Sequence, residues 1–481
     1  MSGLPPGWIG TTLGALCDPP QYGWTTSARK EASAGLRFLR TTDISHGSLD
    51  WSSVPFCADE PPLPERYQLA PGDIVISRVG SIGLSYRLTD VVPAVFASYL
   101  IRFRPSREVD GRYLAYYLQS RAYWTQIAAA SSGITLANVN AKKLAAVKLP
   151  LAPRTEQERI VAAIEEQFSR IDAGVAALEA VERRVHRMRA ALLHGAVTGA
   201  LTSSWRAAHP PTHVAQVPVG QSRLVQVQRA EGALPEDWQL LNLGDLIAEG
   251  PQNGLYLPAS RYGRGTPILR ITDFQSDRLP RRRELNLVEA GPDEAVAFAL
   301  KPGDIVINRV NSMSHLGKCM VVTDELAGVL FESNMMRLRL TDAIHSEYLV
   351  LYLQSGVGRS LLLANAKQAV NQASINQKDV TGTSVVVPAP AEQQQIVSLH
   401  EAISSALTSL RNLVQVSKEH GAQLRASVLA AAFAGELTSH VEGGGPASVV
   451  LDRATGARSL SASSQSTHVR ESRGGLREVP A

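Results

Sequence analysis

Two stretches of the chain place apolar residues at mostly three-four spacing. In residues 155–194 they fall at Val161, Ile164, Phe168, Ile171, Val175, Leu178, Val185 and Leu192, with no intervening proline. Later they recur at Ile396, Leu399, Ile403, Leu407, Leu410, Val414, Leu424 and Val428. This is the seam of a coiled-coil helix. Each stretch opens after a proline, Pro153 or Pro390, and ends near a glycine, Gly195 or Gly199 in the first and Gly435 in the second, as helix boundaries do. Forty residues at a rise of about 1.5 Å predict rods of ~60 Å. Gly421 lies in a weak part of the second seam, residues 417–421, which predicts local looseness or a kink.

Before each rod the pattern is different. Short apolar runs alternate with Gly- and Pro-rich turns. Asp73-Ile-Val-Ile-Ser77 follows a Pro-Gly turn and predicts a buried strand. Residues 96–104 alternate and predict a half-exposed strand. Residues 113–119 predict a short helix beside them. The chain is therefore α/β.

The chain is also written twice. Leu4-Pro-Pro-Gly-Trp8 returns as Leu234-Pro-Glu-Asp-Trp238, and Phe38-Leu-Arg-Thr-Thr-Asp-Ile44 as Ile268-Leu-Arg-Ile-Thr-Asp-Phe274. Leu69-Ala-Pro-Gly-Asp-Ile-Val-Ile-Ser-Arg-Val79 returns as Leu300-Lys-Pro-Gly-Asp-Ile-Val-Ile-Asn-Arg-Val310. Tyr113-Leu-Ala-Tyr-Tyr-Leu-Gln-Ser120 returns as Tyr348-Leu-Val-Leu-Tyr-Leu-Gln-Ser355, Glu156-Gln157 as Glu392-Gln393, and Gly199-Ala-Leu-Thr202 as Gly435-Glu-Leu-Thr438. The order is kept and the offset drifts only from 230 to 236. Such a period marks an internally duplicated architecture. It predicts two similar halves related by an approximate two-fold axis. The expected layout is a globular domain over 1–150, a helical spacer over 151–203 and a polar linker over 204–233. A second globular domain follows over 234–388, a second spacer over 389–438, and a disordered Gly/Ser/Arg-rich tail over 439–481.

Composition adds mostly exclusions. With 48 Lys and Arg against 44 Asp and Glu, the formal charge is +4, which permits nucleic-acid binding without arguing for it. No run reaches the roughly 18 apolar residues of a membrane span, and the first ten residues have no signal-peptide pattern. Cys17, Cys57 and Cys319 are isolated, which points to neither a disulfide framework nor a zinc site. The expectation is a cytosolic protein with no metal or cofactor.

Globular region, long helix, globular region, long helix: this order resembles the specificity subunits of type I restriction–modification systems. The residues that carry the resemblance are Pro-Gly-Asp-Ile-Val-Ile, the Leu-Arg-x-x-Asp-Ile strand, and Leu149-Pro-Leu-Ala-Pro-Arg-Thr-Glu-Gln-Glu-Arg-Ile-Val161 opening the first rod. The second copy, Val387-Pro-Ala-Pro-Ala-Glu-Gln-Gln-Gln-Ile-Val397, lacks one residue before its Glu-Gln. The resemblance covers roughly residues 4–438. It implies two target recognition domains, each reading half of a split DNA site, held apart by two antiparallel rods. It also implies docking of methyltransferase subunits, two of them, with restriction subunits joining the complex, and no catalytic site in this chain.

Several side chains are candidates for touching double-stranded DNA. Arg102 and Arg104 share one strand face, as do Arg337 and Arg339, and phosphate contacts supply much of such affinity. Arg78 and Arg309 precede small-residue loops containing Ser81 and Ser312, whose backbone could hold phosphate while an arginine reaches a guanine edge. Arg281, Arg282 and Arg283 form a basic loop where the first copy has the acidic Cys57-Ala-Asp-Glu-Pro-Pro62. Tyr22, Trp24, Arg29 and Lys30, and their counterparts Tyr256, Arg261, Tyr262 and Arg264, could contact DNA or anchor loops. Asp43 and Asp273 stand alone at strand ends and predict turns or caps. Ile164, Phe168, Ile171, Leu178, Ile403, Leu407 and Leu410 are the spacer and partner positions of the rods.

Two other readings stay open. A coiled-coil adaptor could carry the same rods without reading DNA. An adenine methyltransferase component would need an Asp-Pro-Pro-Tyr-like motif, and Asp18-Pro-Pro-Gln-Tyr22 comes near. A glutamine interrupts it, however, and the second copy has Glu249-Gly-Pro-Gln-Asn253. No Gly-x-Gly-x-x-Gly follows a strand, and no lysine has an acid two positions before it.

Overall fold

The computed structural model describes residues 3–30, 35–45, 47–131, 138–210, 234–235, 237–273, 280–369, 372–439 and 445–456. The chain divides into two compact units. One joins Met1–Leu178 to Val416–Ala481; the other is Glu179–Gln415. Both long helices are continuous, Arg154–Thr198 and Pro390–Ala434, and each contributes to both units. The expected spacers therefore do not form bodies of their own.

In the first unit an antiparallel sheet runs Gln21–Tyr22, Leu100–Phe103, Ile74–Ser77, Ser85–Arg87. A second sheet runs Ala28–Arg29, Phe56–Cys57, Arg37–Leu39, Ala94–Phe96, its last pair parallel. Residues 96–104 are thus not one half-exposed strand. The chain turns at Ala97, Ser98 and Tyr99, where the Leu100 amide donates to the Ala97 carbonyl, and passes from one sheet to the other. Leu100, Ile101 and Phe103 are buried because the strand is central and covered on both faces.

A ribbon of Ile9–Thr12 and Lys148–Leu151 brings the start of the chain beside the entry to the first rod. Helix Gly111–Tyr117 packs on this ribbon through the repeated tyrosines. Tyr113 Oη donates to the Pro150 carbonyl at 2.9 Å and Tyr117 Oη to that of Lys148 at 2.6 Å. Both rings meet Phe433 edge-on at 5.1 Å. Ile160, Ile164 and Phe168 from the first rod and Leu429, Ala432 and Phe433 from the second close the same core. The start of one rod lies with the end of the other, so they run antiparallel here.

The second unit repeats the plan. Its main sheet is Ile247–Asn253, Met335–Leu340, Ile305–Asn308, Cys319–Val321. Its second sheet is Asn286–Val288, Tyr262–Leu269, Leu330–Phe331, and its ribbon pairs Gln239–Asn242 with Ser384–Val387. Tyr348 and Tyr352 donate to the carbonyls of Val386 and Ser384 at 2.8 and 3.0 Å. A small sheet of Val310–Asn311, Ala373–Ser374 and Lys367–Gln368 is added.

The repeated Glu-Gln explains itself here. Gln157 Oε1 accepts from the Asp110 amide and Gln393 Oε1 from that of His345, at 2.9 and 2.8 Å. Each glutamine pins the first turn of its rod to its own globular domain. Glu392 accepts from Thr202 Oγ1 at 2.6 Å, Arg206 Nη2 at 2.7 Å and Trp238 Nε1 at 2.9 Å. The Gly-x-Leu-Thr repeat and the tryptophan repeat thus meet at one carboxylate. Both repeated glycines sit at positive φ, and a Cβ on Gly199 would meet Pro235 at 2.5 Å and one on Gly435 would meet Pro5 at 2.2 Å.

Several expectations need correction. The helix runs unbroken through Gly421, and a Cβ there would meet Val175 at 3.4 Å, an ordinary contact. Buried positions around it fall at Val414, Gly421 and Leu429, which puts Leu424 off the seam and exposed. Ile164, Phe168 and Leu407 are buried, Ile171, Leu178 and Ile403 half-buried, and Leu410 is 38% exposed. Residues 204–208 of the expected linker lie in helix Ser203–Ala208, held by Arg206 to Glu392; residues 211–233 lie outside the described residues. Residues 447–456 of the expected disordered tail are helical. Ala447 and Val450 join the first unit's core and the Ala447 amide donates to the Gly7 carbonyl at 2.9 Å. Small residues there give little apolar signal but pack closely. Residues 457–481 lie outside the described residues.

Candidate nucleic-acid interface

The repeated Pro-Gly-Asp turn is an electrostatic centre in both units. Asp73 is only 1% exposed. Its Oδ2 accepts from the Ala70 amide at 2.9 Å, closing the turn. The same carboxylate takes Arg104 in a fork, Nε to Oδ1 at 2.8 Å and Nη2 to Oδ2 at 3.0 Å, the strong bidentate arrangement. Asp304 does the same with the Lys301 amide and Arg339. Arg339 also bonds Glu249. These partners raise the pKa of Arg104 and of Arg339.

Arg102 lies inward. Its Nη1 donates to the Gln68 carbonyl at 2.6 Å and its guanidinium sits 5.6 Å from the Phe96 ring centre. Burial, then repulsion from Arg104, lowers its pKa. Arg337 repeats this, with burial and then Arg339 as the causes and the Ala299 carbonyl 3.4 Å from its Nη1. The expected basic strand face is thus one on which Arg104 and Arg339 are forked on buried aspartates and Arg102 and Arg337 lie inward. The four arginines share a face, as their spacing requires, but that face holds buried aspartates and carbonyls.

Arg78 and Arg309 have no carboxylate partner among the described residues. Arg78 lies 5.2 Å from the centre of the Tyr22 ring, and Tyr22 Oη accepts from the Ala141 amide at 2.9 Å. Arg309 Nη1 donates to the Ser333 carbonyl at 3.0 Å. Ser81 is exposed in its loop. Ser312 is exposed and joined to Ser314 and His315 at 3.0 and 3.1 Å. Arg281, Arg282 and Arg283 are exposed. Arg282 is anchored to the Ala327 carbonyl, which leaves Arg281 and Arg283 without a side-chain partner among the described residues.

The diverged loops differ in their anchoring. Trp24 is a packing residue: Nε1 donates to the Asp59 carbonyl at 2.9 Å and its ring meets Tyr67 edge-on at 5.5 Å. Arg29 and Lys30 are exposed. In the second unit Arg261 pairs with Glu294 at 2.6 Å and Arg264 with Glu289, while Tyr256 is 82% exposed. Asp43 and Asp273 close turns, accepting from the amides of Arg40 and Arg270 at 2.8 Å. The Asp18 amide donates to the Arg104 carbonyl, and Gln21–Tyr22 is an edge strand, so the Asp-Pro-Pro-Gln-Tyr stretch leads into a sheet. Lys142 and Lys378 escaped the sequence reading, although Asn140-Ala-Lys142 and Asn376-Gln-Lys378 repeat in register.

The model of the type I restriction modification DNA specificity domain matches residues 59–182 and 235–416, the two copies found above. The chain belongs to this family. It is similar to the specificity subunit of the type I restriction enzyme EcoKI of Escherichia coli K12, 24% identical over 91% of this chain and 90% of that one. The StySPI specificity subunit of Salmonella potsdam is 25% identical over 89% of both. Among solved structures, the HsdS subunit of Thermoanaerobacter tengcongensis covers 90% of this chain and 98% of its own, with 20% identity and a TM-score of 0.50. A chain from work on assembly and conformational transition of the type I R-M system covers 90% and 99%, with 22% identity and a TM-score of 0.60. These two share the fold.

As a type I specificity subunit the chain determines target recognition within its complex and is not the catalytic component. Among the described residues no group of three His, Cys, Asp or Glu could hold a metal ion, and no helix is long and apolar enough to cross a membrane.

Proposed function

We propose that each unit reads one half of a bipartite double-stranded DNA target, and that the chain holds the two readers for two modification (methyltransferase) subunits. Restriction and translocase subunits join the same complex. One observation carries this reading: the framework is duplicated down to individual hydrogen bonds, while the stretches that precede the matching strands Phe56–Cys57 and Asn286–Val288 read Asp50-Trp-Ser52 in one copy and Arg281-Arg-Arg283 in the other. A repeat that keeps its frame and changes its loops is built to do one task on two different partners. Two short readouts that must dock together give a long address, because the second engages at high effective concentration.

The DNA-contacting side chains in this reading are Arg78, Ser81, Arg309, Ser312 and the Arg281, Arg282, Arg283 loop. Filter binding with the modification subunits present tests it. Retention of one bipartite duplex over scrambled duplexes supports it; equal retention of all duplexes refutes it.

A further inference from the structure

The duplication separates two classes of contact inside one molecule. If the halves read different sequences, side chains that read bases must differ between copies. Side chains that hold phosphate must be shared, since the backbone is the same everywhere. The aligned framework keeps these basic pairs: Arg40 with Arg270, Arg78 with Arg309, Arg102 with Arg337, Arg104 with Arg339 and Lys142 with Lys378.

Three of these pairs lie within 4.0 Å of a carboxylate. Arg40 is held by Asp43 at 2.7 Å and Arg270 lies 3.9 Å from Asp273. Arg102 and Arg104 face Asp73, Arg337 faces Glu249, and Arg339 joins Asp304 and Glu249. What remains is Arg78 with Lys142, and Arg309 with Lys378. The two members of each remaining set are joined by backbone. The Val139 amide donates to the Arg78 carbonyl at 3.2 Å and the Ile375 amide to that of Arg309 at 2.9 Å. Asn140 and Asn376 then cap the short helices that carry the lysines, accepting from the Lys143 amide at 2.9 Å and the Lys378 amide at 2.8 Å. In the first unit Tyr22 ties the set together, its ring beside Arg78 and its hydroxyl on Ala141. Lys142 and Lys378 are exposed and have no carboxylate partner among the described residues.

We infer that Arg78 with Lys142, and Arg309 with Lys378, are equivalent phosphate anchors that fix each unit on the DNA backbone without reading sequence. This rests on the DNA-reading function proposed above. The anchors set register, and diverged residues such as Arg281 and Arg283 discriminate.

The experiment uses the full chain with its modification subunits and a pool of randomised duplexes, binding being followed against salt concentration and bound duplexes sequenced. Lys142→Gln with Lys378→Gln should flatten the slope of log affinity on log salt by about two, since each lost phosphate contact removes ~0.9. The same sequences should still be enriched. Lys142→Arg with Lys378→Arg should restore the slope, and Arg78→Lys should leave it unchanged. An unaltered slope in the glutamine variant would overturn the inference, and so would a change in the enriched sequence. If the unmodified complex enriches no sequence at all, it is the proposed DNA-reading function that fails.

Discussion

Asp73 and Arg104 are joined by two parallel hydrogen bonds, at 2.8 and 3.0 Å, across 31 residues of sequence, and Asp304 and Arg339 repeat the fork in the second copy. The pair binds the Pro-Gly-Asp turn to the central strand of each main sheet. Replacing Asp73 with alanine would leave Arg104 and the inward Arg102 without their carboxylate. The expected loss is about 2–3 kcal/mol, below the range for a fully enclosed pair because the Arg104 side chain keeps 43% exposure. A fall in the urea midpoint at unchanged slope checks it.

Glu392 gathers donors from three segments: Thr202 after the first rod, Arg206 in the following helix and Trp238 at the entry to the second domain. Glu392→Ala would strand these donors, and a buried unpaired donor costs roughly 1–3 kcal/mol. The variant should unfold at lower denaturant than the parent. The indole, freed from its carboxylate, should emit at longer wavelength before the main transition. An unshifted emission and midpoint would remove the carboxylate from this junction.

At Gly421 the side-chain space decides the sign. A Cβ fits at 3.4 Å from Val175, and alanine favours helix over glycine by up to ~1 kcal/mol. Gly421→Ala should therefore raise the melting temperature slightly, whereas Gly421→Leu should lower it by forcing the helices apart. Equal effects of the two would contradict the packing described.

Much of the architecture was legible because it is periodic or repeated. The rods follow from apolar spacing, and the duplicated motifs name the residues that lock each domain: Tyr113 and Tyr348, Gln157 and Gln393, Trp238 with Glu392. What stayed hidden depends on distant partners. The spacing of Arg102 and Arg104 gives a shared face, but only the fold brings Asp73 to it. The turn at Ala97 is invisible because apolar residues continue through it from one buried sheet into another. Helix 447–456 is carried by Ala447, Val450 and Ala454, which are too small to stand out in a Gly- and Ser-rich stretch. Lys142 and Lys378 lie in a repeat of only two matching positions, and gain meaning once the other shared basic residues are seen to be engaged.

A subunit that recognises the target and does not act on it predicts a simple biochemical result. The purified chain alone should transfer no labelled methyl group to DNA and cut none, and should direct methylation once modification subunits are added. Incorporation by the isolated chain would contradict its assignment as the non-catalytic component.

The most direct test of two independent readers in one chain is an exchange of residues 234–388 for the equivalent region of a relative, followed by mapping of the methylated sequence in the assembled complex. One half of the bipartite target should change to that of the relative, with the other half intact. A target altered in both halves, or in neither, would contradict the account.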